Sequence, residues 1–432
     1  MSLRLGGHLL IVASSPVAAK EIFKTNNRIF SGRFLPSAYH NVPGVTHASL
    51  VMARECNDTW KFLRGLGHSY IFSSKAIESG AGIRAKKVTE MVGFLRANSK
   101  DGNVVNIEDL VYATFTNIIS NVLISRDLFG EGESNYEKVI GFLKMVIEKV
   151  ISVNLSDVFP VFKRVDFWSQ GRAMGIYREI QMIWDDIIKE RRGGDDESST
   201  QDFFDVLSGH GFPDDQISIL LTELLIASTE STIITVVWLM AELIKNQEIL
   251  HKVREEISDK AVEENDHVLI NESLLSECQY FQACIKETLR LHIPGPFSLP
   301  RQATETCKVN NFTIPKDSIV LVNVWAIQTD PNNWEDATSF KPERFINSKI
   351  DFKGAHFDFI PFGAGQRMCP GSNVAIKGVQ LVVASLVHYF DWSLPNGEDY
   401  SKLDLSDRFG TTLKKDKPLC LVPRIREKYV AG

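Results

Sequence analysis

The chain has 432 residues, with 48 Lys and Arg against 54 Asp and Glu, a net charge of −6. That length suits two or three domains or one large enzyme domain, and excludes a single small core. An apolar content of 44% excludes disorder, collagen and coiled coil, and the mild acidity argues against broad nucleic-acid binding.

Phe is frequent, at 26 residues against 9 Tyr and 7 Trp, which favours a large apolar interior able to enclose an apolar ligand. Cys56, Cys278, Cys284, Cys307, Cys369 and Cys420 contain no C-x-x-C pair and are too sparse for a disulfide scaffold, so free thiols are expected. No secretory signal is visible. No stretch reaches the roughly 18 consecutive apolar residues of a spanning helix, so the sequence reads as soluble or at most peripherally attached.

In chain order, Leu9 to Val12 reads as a strand. Ser14-Ser15-Pro16 then caps a helix over Val17 to Lys24. From about Ala53 to Val150 the pattern is helical, with breaks expected at Gly65–Ser69, Ser99–Asn103 and Gly130–Ser134. Residues 193–201 are polar and glycine-led, and read as a surface loop. The longest helical signal starts at Asp214 or Asp215, which can cap it, and runs to Lys245-Asn246. It is apolar on most sides, as a buried central helix would be. Another helix spans Tyr280–Leu291 and stops at Pro294-Gly295-Pro296. Strands are expected at Phe297–Pro300, Lys308–Ile314 and Ile319–Trp325. Residues 330–365 read as an irregular meander, Gly371–Tyr389 as a helix, and Leu403–Pro423 as a hairpin. No repeat or clean linker appears. The expected architecture is mainly α with a minor β-sheet in the C-terminal half, as one domain.

The most informative segment is Phe362-Gly363-Ala364-Gly365-Gln366-Arg367-Met368-Cys369-Pro370-Gly371. Glycines permit close backbone approach and positive φ. Loop N–H groups, the following helix N-terminus and Arg367 favour an anionic sulfur, so Cys369 reads as a thiolate ready for a metal. The alternatives are a small buried cysteine in an ordinary loop, or a phosphate loop. The latter fails because Met368 stands where the third glycine belongs and no P-loop Lys follows.

Phe-x-x-Gly-x-Arg-x-Cys-x-Gly resembles the haem-binding signature of the cytochrome P-450 haem-thiolate enzymes, and every fixed position matches. The resemblance covers essentially the whole chain. It implies a P-450 fold with a long central helix over haem b, Cys369 as the iron ligand, and Phe362 and Arg367 beside the cofactor. Glu287-x-x-Arg290 alone is an ordinary i, i+3 salt bridge. In the resemblance it forms a buried structural network with Arg344 of Pro342-Glu343-Arg344-Phe345. Trp60-x-x-x-Arg64 alone is an amphipathic helix with a snorkelling Arg; in the family both residues contact a haem propionate. Arg301 resembles the family's strand Arg, another propionate partner.

The central helix carries Ala227-Ser228-Thr229-Glu230-Ser231-Thr232. Here the family has a Gly at 228 and a Thr at 231. Glu230 and Ser231 are the expected proton relay; the alternative is a polar stripe kept for packing. The resemblance places substrate contacts at residues 34–50, Leu224–Ala227, Ile293–Leu299 and Phe409–Leu413. Runs such as Thr306–Asp317 and Ile350–Gly354 resemble plant A-type enzymes of the N-methylcoclaurine 3′-hydroxylase-like group. The activity so implied is oxygen insertion into a small lipophilic specialised metabolite, with alkaloids as a candidate class. Electrons come from NADPH through a flavoprotein reductase docked near Lys61, Arg64, Arg367 and Lys377. A monomer on the cytosolic face of the endoplasmic reticulum is expected, with a membrane anchor, hinge, first helix and strand preceding the segment given. Two alternatives stand beside this reading: a haem-thiolate enzyme of phenol coupling or rearrangement, suggested by Ser228 and Ser231, and a truncated inactive relative.

Overall fold

The computed structural model describes residues 1–40, 42, 43, 45, 49–99, 102–128, 141, 145, 155–159, 162, 166–193, 201–260, 262–264, 267–270, 272–426 and 429. The break expected at Gly130–Ser134, and residues 194–200 of the polar loop, lie outside these.

A five-stranded sheet joins the N-terminal segment to residues 301–322. Its strands, in spatial order, are Ser2–Leu5, His8–Ala13, Ile319–Val322, Arg301–Gln302 and Gly32–Arg33. His8–Ala13 runs parallel to Ile319–Val322, with Leu10 opposite Ile319; the other pairings are antiparallel. The register sets Arg33 directly opposite Arg301. Gly32 makes that pairing possible, since a Cβ there would sit 2.5 Å from the Gln302 carbonyl oxygen.

After the second strand, Ser15 accepts from the Ala18 N–H at 3.3 Å and Pro16 opens the helix Pro16–Lys20, which widens into a π turn over Glu21–Thr25. The break expected at Gly65–Ser69 is absent. The helix Asp58–Gly67 continues as a π turn, His68–Phe72, and stops at Ser73, whose hydroxyl caps the next helix through the Ala76 N–H. A glycine weakens a helix but does not end one when its neighbours pack; here Leu63, Leu66 and Phe72 are buried.

The central helix runs unbroken over Asp214–Lys245, 32 residues. Its N-cap is Pro213, so Asp214 and Asp215 lie inside the first turn, where they complement the positive end of the helix dipole rather than capping it. From Thr232 to Ile244 it is buried on every side, packed against Ile107–Ile124 and Ser372–Tyr389. Among the described residues it is the one helix long and apolar enough to cross a membrane, and 72% of its most apolar window is buried in the fold. Gly378 lets the last two helices approach: a Cβ there would meet Phe115 Cε1 at 2.6 Å.

Four further expectations change. Phe297–Pro300 is not a strand; Phe297 makes a single isolated bridge to Asn323, and prolines at 296 and 300 remove ladder donors. The strand from Ile319 stops at Val322 because the Asn323 side chain accepts from the Ala326 N–H at 3.0 Å and starts the helix Val324–Gln328. In the tail, only Asp407–Arg408 and Lys414–Lys415 form a hairpin, while Cys420–Ile425 pairs with Phe390–Ser393 and Val105–Asn106. Lys308–Ile314 resolves into a hairpin of Cys307–Val309 and Phe312–Ile314, turned at Asn310 with φ 51°. The helix-dominated architecture with a minor sheet is as expected.

Candidate active site

The cysteine loop is shaped by two left-handed glycines, Gly363 at φ 67° and Gly365 at φ 75°. At Gly365 a Cβ would lie 2.3 Å from the Phe23 carbonyl oxygen and 2.5 Å from Asn27 Oδ1. Asn27 Oδ1 accepts from the Gln366 N–H at 3.0 Å, which fastens the loop to the N-terminal π turn. The Cys369 N–H donates to the Phe362 carbonyl at 3.0 Å and closes the loop. Gly371 then caps the helix Ser372–Tyr389.

Cys369 is the exposed cysteine of the six, although protein packs around its sulfur. Burial raises its pKa above the usual thiol value. The N–H groups of Gly371 and Ser372 and the Arg64 charge oppose this without overcoming it. Desolvation therefore works against the anion that the loop N–H groups and Arg64 favour, and a metal cation on the sulfur would help to hold the charge. Among the described residues no group of three or more His, Cys, Asp or Glu could hold a metal ion, so a metal on Cys369 would take one protein ligand.

Beside the loop lie three buried arginines, Arg33, Arg301 and Arg367, at 7%, 3% and 8% exposure. They donate chiefly to backbone carbonyls, and the Cys56 thiol also lies beside Arg367. Arg33 donates to Val51 and Leu299, Arg301 to Phe30, and Arg367 to Ser31, Leu50 and Ala53. None forms a salt bridge with a described residue, and Arg301 Nε is buried without a partner. Burial, and then mutual repulsion, lower Arg33 well below the usual guanidinium value and bring Arg301 down to about 10. Arg367 is lowered too, by burial first. Glu223 is near enough to offset part of the charge on Arg33 and Arg367 but forms no ion pair with them, and three clustered buried cations still call for an anion. Two carboxylates on one bound group are what the cluster lacks, and the propionates of haem b fit it. Arg33 was missed in the sequence, where Gly32-Arg33 is a plain dipeptide; its register opposite Arg301 is what reveals it.

Trp60 and Arg64 share one helical face, as expected. The indole N–H, however, donates to the Leu50 carbonyl at 2.9 Å, and Arg64 Nη2 to the Met368 carbonyl at 2.6 Å. The Trp60 ring is a platform, with the Arg367 and Arg64 guanidinia at 4.8 and 5.6 Å. Arg367 is buried, so it drops out of the surface patch expected to meet a reductase. Lys61 is exposed but paired with Asp58, and Lys377 is half-buried.

Glu287 and Arg290 are fully buried and joined by contacts of 2.7 and 2.8 Å. Arg344 Nε reaches Glu287 Oε1 at 3.2 Å, and the Lys341 N–H reaches the same oxygen at 2.9 Å. Arg290 also donates to the Gln328, Ala337 and Ser339 carbonyls. Gln328 was not foreseen. Its amide donates to the Leu289 and Arg290 carbonyls and accepts from the Ile360 N–H, tying this network to the segment that leads into the cysteine loop.

A cavity of about 330 Å³ opens on the central helix. Ile219, Glu223, Ile226, Ala227, Glu230 and Ser231 form one wall. Of the expected substrate segments, Leu35, Tyr39, Val42, Val45 and Ser49 contribute, as do Pro294, Gly295, Phe297, Leu299, Thr411 and Thr412. Leu224 and Leu225 are buried in the core instead, because they fall on the opposite helical face. Ala173, Ile176, Tyr177 and Ile180 were missed, and add a wall from the helix Phe167–Gly193. Ser231 is exposed to the cavity, and its hydroxyl leans to the Ala227 carbonyl at 3.4 Å; Glu230 Oε1 accepts from Thr412 Oγ1, also at 3.4 Å. Ser228 does not break the helix.

The cytochrome P-450 family profile matches residues 1–420. The chain is 41% identical to a probable (S)-N-methylcoclaurine 3′-hydroxylase isozyme 2 of Coptis japonica, over 99% of this chain and 87% of that one. It is 39% identical to (S)-N-methylcoclaurine 3′-hydroxylase isozyme 1 of Papaver somniferum, over 99% and 88%. A zebrafish cytochrome P-450 structure with progesterone superposes with a TM-score of 0.80 at 22% identity, covering 99% of this chain and 96% of that one, which shows the shared fold. The family match and these relatives define a haem-dependent oxidoreductase that incorporates oxygen. The chain belongs to the cytochrome P-450 family, close to plant alkaloid-pathway hydroxylases, and haem b is its cofactor.

Proposed function

We propose that residues 1–432 form one catalytic unit, a monomeric monooxygenase that inserts one oxygen atom from O2 into a small lipophilic alkaloid of the N-methylcoclaurine type. The observation that carries this reading is the arginine cluster with no carboxylate in ion-pair contact among the described residues, set directly behind an apolar cavity: the Val51 and Leu299 carbonyls that hold Arg33 belong to residues of the cavity wall. A cofactor anchored there by its carboxylates lies next to a chamber for an apolar ligand.

Haem b supplies the activation of dioxygen. Cys369 would hold the iron and Phe362 would flank the macrocycle. Arg33, Arg301 and Arg367 would hold the propionates, with Trp60 as the platform beneath Arg367, while Arg64 stays close enough to Cys369 to favour its anion. Glu287, Arg290 and Arg344 support the loop from below. Glu230 carries a proton towards the cavity and Ser231 passes it on; Thr412, within reach of Glu230, orients the carboxylate. The apolar walls exclude bulk water from that relay. NADPH–cytochrome P-450 reductase supplies electrons at the face bearing Lys61, Arg64 and Lys377, on the cytosolic side of the endoplasmic reticulum.

The test is turnover of (S)-N-methylcoclaurine and related amines by the purified protein with reductase, NADPH and labelled dioxygen. The expected result is a thiolate-type ferrous–CO spectrum and one labelled oxygen in the product. A product without label overturns monooxygenation in favour of coupling or rearrangement.

A further inference from the structure

Glu223 lies two helical turns before Glu230 on the central helix, and the relay does not use it. Its Oε1 accepts from Ser49 Oγ at 2.5 Å and the Val51 N–H at 2.9 Å, and its Oε2 from the Leu50 N–H at 2.7 Å. Ser49 Oγ in turn accepts from the Met52 N–H at 2.6 Å. The carbonyls of the same strap serve the arginines. Leu50 accepts from Trp60 Nε1 and Arg367 Nη1, Val51 from Arg33 Nε, and Ala53 from Arg367 Nη2. Residues 49–53 are therefore held between one carboxylate, through their N–H groups, and two guanidinia and an indole, through their C=O groups. Ser49, Val51, Met52 and Glu223 also line the cavity.

We propose that Glu223 is a positioning residue: by clamping the strap 49–53 it fixes the carbonyls that orient Arg33 and Arg367, so that the cavity wall and the haem-holding arginines are one mechanical unit. This rests on the reading that those arginines hold the propionates. The geometry explains why a charged acceptor is used. Three amide or hydroxyl donors on one carboxylate form charge-assisted bonds, roughly twice as strong as neutral ones, and they hold a segment that has no regular secondary structure. Burial works against that charge and raises the Glu223 pKa, while Glu223 helps to offset the charges of Arg33 and Arg367. Glu223→Gln keeps one acceptor oxygen and turns an NH2 towards a donor, so the clamp loses a side.

The experiment uses the full chain loaded with haem, as wild type, Glu223→Gln and Ser49→Ala. Amide hydrogen exchange is read over residues 49–53, haem transfer is followed to apomyoglobin, and the haem midpoint potential is measured. The expected result for Glu223→Gln is at least tenfold faster exchange at Leu50, Val51 and Met52, with central-helix amides unchanged. Haem transfer becomes at least tenfold faster and the midpoint potential shifts. Ser49→Ala moves the same readouts in the same direction by less, and stands in if Glu223→Gln does not fold. Unchanged exchange at the strap overturns the clamp. Faster strap exchange with wild-type haem transfer and potential overturns the coupling, as does accelerated exchange spread over the whole protein. A wild-type chain with no thiolate–CO band sinks the haem reading instead, so the two failures are distinguishable.

Discussion

Arg33 and Arg301 face each other across adjacent antiparallel strands, both buried and both lowered in pKa by burial and by their neighbours' charge. Like charges directly opposite each other destabilise a strand pair. The haem-free protein therefore carries an electrostatic cost that an anionic ligand removes. Arg301→Leu is expected to leave the haem-free melting temperature unchanged or higher, while the loaded protein loses haem at least tenfold faster. Calorimetry of both forms, with haem transfer, checks this; equal losses in both forms would count against it.

The same pair sets a pH sign. Arg301 binds its proton less tightly in the fold, at about 10, than in the unfolded chain, where the ordinary guanidinium value applies. The cost of its charge is thus present at every pH below about 10, and falls as pH climbs from there towards the unfolded value. Haem-free wild type should gain stability relative to Arg301→Leu as pH is raised through about 10. Denaturant titrations at about pH 8 and about pH 10.5 measure the difference, and a widening gap in favour of the variant would refute it.

Glu287 is bound by Arg290, Arg344 and the Lys341 N–H with no water contact. Removing one partner of a buried pair strands the other charge, at about 3–5 kcal/mol. Glu287→Ala should abolish haem incorporation. A normal ferrous–CO spectrum from that variant is the outcome that excludes it.

The two loop glycines should separate by size of effect. Gly363 needs its positive φ, but a Cβ there would meet nothing within 4 Å, so Gly363→Ala costs the haem-free protein about 1–2 kcal/mol. Gly365→Ala adds a collision with Phe23 and Asn27 and should cost clearly more. Urea midpoints of the haem-free variants give the order, and equal values would show that the Phe23 contact yields freely.

Ser231→Ala should lower product formation on the order of 10²-fold, in line with the loss of a positioned proton donor. NADPH consumption should persist and run to peroxide. Thr412→Val should do the same more weakly by removing one hydrogen bond to Glu230. Product, NADPH and peroxide measured together decide it: variants that keep wild-type coupling would remove both residues from the relay.

Local chemistry was legible because its partners are close in sequence. Two glycines and a Pro-Gly pair around Cys369 declare a tight loop, and Glu287 and Arg290 share one helical turn. The central helix declared itself through apolar length, though its cap did not. Leu224 was misplaced onto the cavity because a helix buried on nearly all sides has no pattern to say which face is hollow. The arginine cluster was only half visible. Arg301 and Arg367 came from motifs, whereas Arg33, Gln328 and Glu223 make their decisive bonds to backbone groups far along the chain, such as Arg33 to Leu299.

The sequence by itself determined the kind of site: a thiol in a glycine loop, an acid–alcohol pair on a long apolar helix, and an interior large enough for an apolar ligand. Only the tertiary structure decided which buried charges lack an ion-pair partner, which residues wall the cavity and which segment links the two. The physical reason is that a carbonyl or amide partner carries no residue identity. Its position depends on strand register and on how loops close over hundreds of residues, and neither is written in any short stretch of the chain.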